Sequence, residues 1–140
     1  MKKFELTTNS KSWLGETLFQ IKALISFGNV NVGDLGGWIE KEDNLSQEGN
    51  AWVSGNAWVS GNAEVFKSTH LFQLGAIGSR NAVTTFFRTK TNAIWVSCGC
   101  FLGSIDEFTA RVKQVHAGTK HVNTYQLAIE LAKLQLTDIK

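Results

Sequence analysis

Small, aliphatic and polar positions recur every six residues between 45 and 66, and this is the most regular pattern in the chain. Gly49-Asn50-Ala51-Trp52-Val53-Ser54 is followed by Gly55-Asn56-Ala57-Trp58-Val59-Ser60 and Gly61-Asn62-Ala63-Glu64-Val65-Phe66. Side chains alternate on extended backbone, so Ala51, Ala57 and Ala63 share a face with Val53, Val59 and Val65. The Gly-Asn pairs suit corners, because both residue types tolerate left-handed backbone. A short fixed period marks a stacked architecture. It predicts a short β-helix-like coil in which each hexapeptide forms one side of a triangle, with alanine and valine inward. A weakened copy runs backwards: Leu45 and Ile39 precede Ala51 by six and twelve residues, but Gln47 and Lys41 stand where aliphatics belong. One coil cannot bury its own ends. The N-terminal segment, the C-terminal half or a second subunit has to cover them.

Elsewhere the pattern changes. Residues 4–32 alternate around the turn-rich Thr8-Asn9-Ser10-Lys11. Within them 17–25 fits either a helix or a strand, and its short length and Gly/Asn-rich flanks favour strand. Beyond Lys67 the period is lost. Leu71–Leu74 reads as a strand, 76–81 as a turn, and Ala82–Thr89 with Ala93–Cys98 as a hairpin whose tip holds Thr91-Asn92. Ser104-Ile105-Asp106-Glu107 matches a capping box, in which serine and glutamate satisfy the first free amides of a helix. Ile105, Phe108, Val112 and Val115 then form an apolar stripe that Gly118 ends. A second helix is expected over Thr124–Leu136, opened by Asn123 and Gln126, with Leu127, Leu131 and Leu134 on one face. The expected fold class is α+β. A β-rich module with the hexapeptide repeats occupies residues 1–68, and a β-hairpin plus two α-helices occupies residues 69–140.

Composition narrows the function classes. A chain of 140 residues with 43% hydrophobic and 19% charged positions supports a real core. Its formal charge of +2 is too mild for electrostatic nucleic-acid binding, so direct nucleic-acid contact is not expected. No stretch approaches the roughly 20 apolar residues of a membrane-spanning helix, and the N-terminus lacks the apolar segment of a signal peptide. A cytoplasmic protein that does not engage membrane is expected. Cys98 and Cys100 on one strand would lie about 7 Å apart, near the limit for bridging, which favours free thiols.

The runs Gly33-Asp34-Leu35-Gly36-Gly37-Trp38-Ile39-Glu40 and Asn44-Leu45-Ser46-Gln47-Glu48-Gly49-Asn50-Ala51-Trp52-Val53 resemble a family of small phage and prophage accessory proteins with short β-helix-like hexapeptide repeats. Ile77-Gly78-Ser79-Arg80-Asn81, Thr84-Thr85-Phe86-Phe87, Cys98-Gly99-Cys100-Phe101 and Ile105-Asp106-Glu107-Phe108 are similar to the C-terminal half of some members. The resemblance implies phage origin, residence in the cytoplasm of an infected bacterium, and a role against host immunity of the anti-CRISPR kind. It brings no catalytic residues with it.

Candidate chemistry is sparse. Hexapeptide coils also build acyltransferases with a histidine base, but those need many coils. His70, His116 and His121 show no His/Asp or His/Glu arrangement, as general-base catalysis would require. Cys98-Gly99-Cys100 with His116 and His121 is spaced more tightly than zinc-binding cysteines, and Gly33–Gly37 lacks the lysine and strand-to-helix setting of a phosphate loop. No catalytic residue, cofactor or metal is assigned. Trp52 and Trp58 each precede an inward valine and should point outward, where indoles are enriched at binding hot spots. The alternative is that the chain's own N-terminal strands or helices cover them. Arg80, Arg88, Lys90 and Arg111 would form a basic patch near the hairpin, unless they are simply a solvated face. The expected function is non-enzymatic: a phage-encoded protein that sterically blocks a host bacterial protein or defence complex such as CRISPR-Cas. A homodimer would fit the need to cover the coil's ends. The competing expectations are a small acyltransferase-like enzyme and a self-assembling phage structural component.

Overall fold

The alternating N-terminal segment folds as a long antiparallel hairpin of β1 (Phe4–Trp13) and β2 (Glu16–Ala23). Only Leu14 and Gly15 separate the strands, with φ of 52° and 81°, as a two-residue turn matched to strand twist requires. β3 (Leu35–Ile39) pairs antiparallel with β2, and β4 (Trp58–Val59) pairs parallel with β3, giving a mixed sheet in the order β1-β2-β3-β4. These features come from a computed structural model, which describes residues 2–78, 82–99 and 101–136.

The alanines and valines of the repeat do turn inward. Ala51, Val53, Ala57, Val59, Ala63 and Val65 are all buried. The chain passes over itself once: Trp38 lies opposite Trp58, Ile39 opposite Val59 and Leu45 opposite Val65, all parallel. Close approach needs bare backbone here. A Cβ on Gly37 would sit 2.5 Å from the Ala57 carbonyl oxygen and 2.6 Å from Val53 Cγ1. Asn44, fully buried, ties the two passes together. Its Oδ1 accepts from the amides of Glu40 (3.1 Å) and Lys41 (3.0 Å), and its Nδ2 donates to the carbonyls of Gly61 (3.2 Å) and Ala63 (3.0 Å).

The second sheet is antiparallel, in the order β5 (Leu71–Ile77), β6 (Ala82–Arg88), β7 (Ile94–Cys98), β8 (Phe101–Ser104). Its strand period separates two cores. Phe87, with Leu71, Val83, Trp95 and Leu102, joins the repeat core, while Phe86, with Ile94 and Val96, joins the helices. The sheet is therefore a middle layer. α1 (Ile105–Val115) starts on the expected box: the Glu107 amide donates to Ser104 Oγ at 3.1 Å and the Ser104 amide to Glu107 Oε1 at 2.9 Å. α2 (Lys120–Gln135) starts four residues before the expected Thr124, on Thr119, whose Oγ1 accepts from the His121 amide.

The expected α+β class is corrected: the fold is mostly β, two four-stranded sheets with two helices. Among the described residues no β-helix solenoid closes, and the second half holds a four-stranded sheet where a strand and a hairpin are expected. The physical reasons are local. Three hexapeptides supply one pass with no third layer to pair with, and the left-handed corners at Gly49, Gly55 and Gly61 limit the strand within them to Trp58–Val59. The ends of the repeat core are covered by the chain itself. Phe4 and Ile21 of the hairpin join it from one side and Phe87 of the second sheet from the other.

Candidate interaction surface

α2 is apolar on two sides, and only one of them is used. Its sequence, KHVNTYQLAIELAKLQ, is dominated by strong helix formers. Tyr125, Ala128, Ile129 and Ala132 recur at helical spacing and are buried against Phe108 and Val112 of α1 and against the second sheet. Leu127, Leu131 and Leu134, which the sequence places on one face, look into solvent, 71%, 38% and 72% exposed. The small alanines explain the choice, since they let the helix lie close to its neighbours. Single exposed leucines are ordinary, but three at i, i+4 and i+7 make one continuous seam. Beside it runs a groove of 610 Å³ between the helices, walled by Thr109 and Lys113 of α1 and by Leu127, Glu130 and Lys133 of α2. Glu130 and Lys133 form an exposed pair at 4.0 Å. Helix periodicity alone flags this surface, because a surface helix with one buried face should not be apolar on its other side as well.

The residues singled out from sequence are placed differently. Trp58 is buried at 5% exposure, with Trp13 edge-on at 6.3 Å and its carbonyl accepting from Ser97 Oγ at 2.6 Å. It is therefore not an outward hot spot; the N-terminal strand covers it. Trp52 is half-buried between Phe4 (6.5 Å) and Phe27 (5.3 Å), and it borders a 320 Å³ cleft with Val30, Asn50 and Gln73. Arg88 is a clamp: its guanidinium donates to the Glu64 carbonyl (2.9 Å), to Glu64 Oε1 (3.1 Å) and to Asn92 Oδ1 (3.1 Å) and lies over the Phe66 ring. Lys90 is exposed on a 250 Å³ cleft whose other charged residues, Glu42, Asp43 and Glu64, are acidic. Arg80 and Cys100 lie outside the described residues. Among the described residues of that patch, Lys90 is exposed, Arg88 is ion-paired and Arg111 lies over the Phe101 ring.

Reactive groups are dispersed. Among the described residues no cluster of three or more His, Cys, Asp or Glu is placed to hold a metal ion. Cys98 Sγ accepts from Thr84 Oγ1 at 3.1 Å and lies 3.9 Å from the Tyr125 hydroxyl; His116 packs between Tyr125 and His121. His70 is buried and accepts the Phe66 amide at 3.1 Å. Glu16 shares a hydrogen bond with Glu40, which raises the Glu16 carboxyl above its ordinary range. The same bond and the Gly61 amide, 2.7 Å from Glu40 Oε1, hold Glu40 below it. That pair ties the hairpin tip to the third repeat. Lys3 is buried among neutral acceptors. Its Nζ donates to the Ala51 carbonyl at 2.8 Å and to the Glu48 and Gly49 carbonyls at 3.4 Å, and burial pushes its pKa down to about 8.

Among the described residues no helix is long and apolar enough to cross a membrane. No protein-family model matches the chain, and no curated protein matches it.

Proposed function

We propose that the protein acts without catalysis, through protein–protein contact made by the outer face of α2. One observation carries this reading: Leu127, Leu131 and Leu134 form a continuous seam in solvent on a helix whose opposite side already fills the core. Removing apolar area from water is the main driving force for association, and a seam of this spacing suits helix-on-helix packing. The phage setting that the sequence resemblance implies makes a bacterial defence protein the expected target of steric blocking.

The test compares the chain with a Leu127→Glu/Leu134→Glu variant, both purified and then mixed with bacterial lysate. The reading expects an association, with itself or with one stoichiometric partner, that the variant loses while keeping its circular dichroism spectrum. Identical behaviour of the two proteins would overturn it.

A further inference from the structure

We infer that, in the protein on its own, the α2 seam is occupied by a second copy of this chain, packed antiparallel across a two-fold axis near Leu131, which a target engaging that face would displace. The inference rests on reading that face as a protein contact. It adds what the contact is with, and the argument comes from the order of side chains along the helix. An isologous interface places one surface patch against itself, so the patch must be complementary to its own reversal.

Leu127-Ala128-Ile129-Glu130-Leu131-Ala132-Lys133-Leu134 has that property. With helices reversed about Leu131, Leu127 comes level with the partner copy's Leu134 to within one residue rise, about 1.5 Å. Leu131 meets its own counterpart on the axis. Glu130 comes level with the partner copy's Lys133, again to within about 1.5 Å, and each such pair occurs twice. Both side chains are exposed, 72% for Glu130 and 56% for Lys133, so neither is committed to the core. A parallel two-fold pair would turn the Glu130/Lys133 flank toward the partner copy's opposite flank, where Thr124, Ala128 and Gln135 offer no charge to pair with. The leucine seam permits either orientation, and the ion pairs select the antiparallel one.

The groove completes the fit. Leu127 is both part of the seam and a wall of the groove, so the partner helix has a depression beside the ridge to settle into, as ridge-into-groove packing requires. A contact of one helix pair lies at the low end of interface sizes, below about 1,200 Å² in total, the range of weak and reversible association.

Sedimentation velocity on the full chain, from about 1 µM to about 1 mM, spans that regime. The expected result is a monomer–dimer equilibrium that Leu127→Glu/Leu134→Glu abolishes. Glu130→Lys should weaken it about tenfold, because both symmetry-related ion pairs become repulsive. Glu130→Lys/Lys133→Glu should restore it, a recovery that loss of folding cannot imitate. A chain that stays monomeric throughout, or a dimer indifferent to all these changes, overturns the proposal. If the monomer still captures a lysate protein in a Leu127-dependent way, only self-pairing falls; if it captures nothing, the contact reading falls with it.

Discussion

Asn44→Ala should remove the strongest polar tie between the two passes of the repeat. Asn44 makes four hydrogen bonds, with two donors and two acceptors used, while fully buried. Each intramolecular hydrogen bond contributes about 1 kcal/mol net, and a buried group left without its partner costs about 1–3 kcal/mol. The four together come to about 4 kcal/mol, against about 5–15 kcal/mol for a whole domain. With a urea slope of about 2 kcal/mol/M, the unfolding midpoint should fall by about 2 M. Asn44→Asp separates the two halves of the interaction. The carboxylate can still accept from Glu40 and Lys41, but its other oxygen faces the Gly61 and Ala63 carbonyls at 3.2 and 3.0 Å, where repulsion and burial raise its pKa above the unfolded value. The folded state then binds the proton more tightly, so this variant's stability relative to the parent should rise as pH falls through that raised pKa. Urea titrations at neutral and mildly acidic pH read both effects. A midpoint for Asn44→Ala within experimental scatter of the parent would refute the argument that this side chain holds the passes together.

Leu14→Asn should raise the urea midpoint by the equivalent of about 1 kcal/mol, since Leu14 holds φ of 52° at a position half-exposed to solvent and asparagine adopts that backbone at lower cost. Lys3 has a folded-state pKa of about 8 against 10.5 for an ordinary lysine. The unfolded chain therefore binds more protons between those values, and the Lys3 contribution to stability grows as pH rises through that window. Comparing urea midpoints of the parent and Lys3→Met at both ends should show a shallower pH slope in the variant. Gly37→Ala should cost about 1–3 kcal/mol by overpacking, because its Cβ meets backbone at 2.5 Å. Thermal melts would show a lowered transition, and an unchanged one would contradict the close approach of the two passes.

Local patterns were legible in the sequence; partners distant along the chain were not. The inward alanines and valines, the β6–β7 hairpin and the Ser104 box follow from alternation and capping chemistry, which act within a few residues. The solenoid expectation failed because periodicity reports which face is apolar and says nothing of how many layers exist to pair. The sequence leaves Trp58 either exposed or covered by the N-terminal elements, for a related reason. Alternation correctly sets it opposite Val59, but its cover comes from Trp13, 45 residues earlier in the chain. On α2 the leucine spacing shows that Leu127, Leu131 and Leu134 share a face but not whether that face packs. Which side packs was decided by Tyr125, Ala128, Ile129 and Ala132 and the room they leave for α1. β8 escaped notice because Phe101-Leu102-Gly103-Ser104 is too short to show a period.

Closing the repeat core from both sides by its own chain fixes how many hexapeptides it can contain. Open repeat arrays grow or shrink by whole units, since each unit touches only its neighbours. Here a duplicated hexapeptide before Gly61 would carry Ala63 away from Asn44 or Glu64 away from Arg88, because both anchors are set by one spacing. Lineages of this fold should therefore vary more in helix length than in the distance from Asn44 to Glu64, which stays constant.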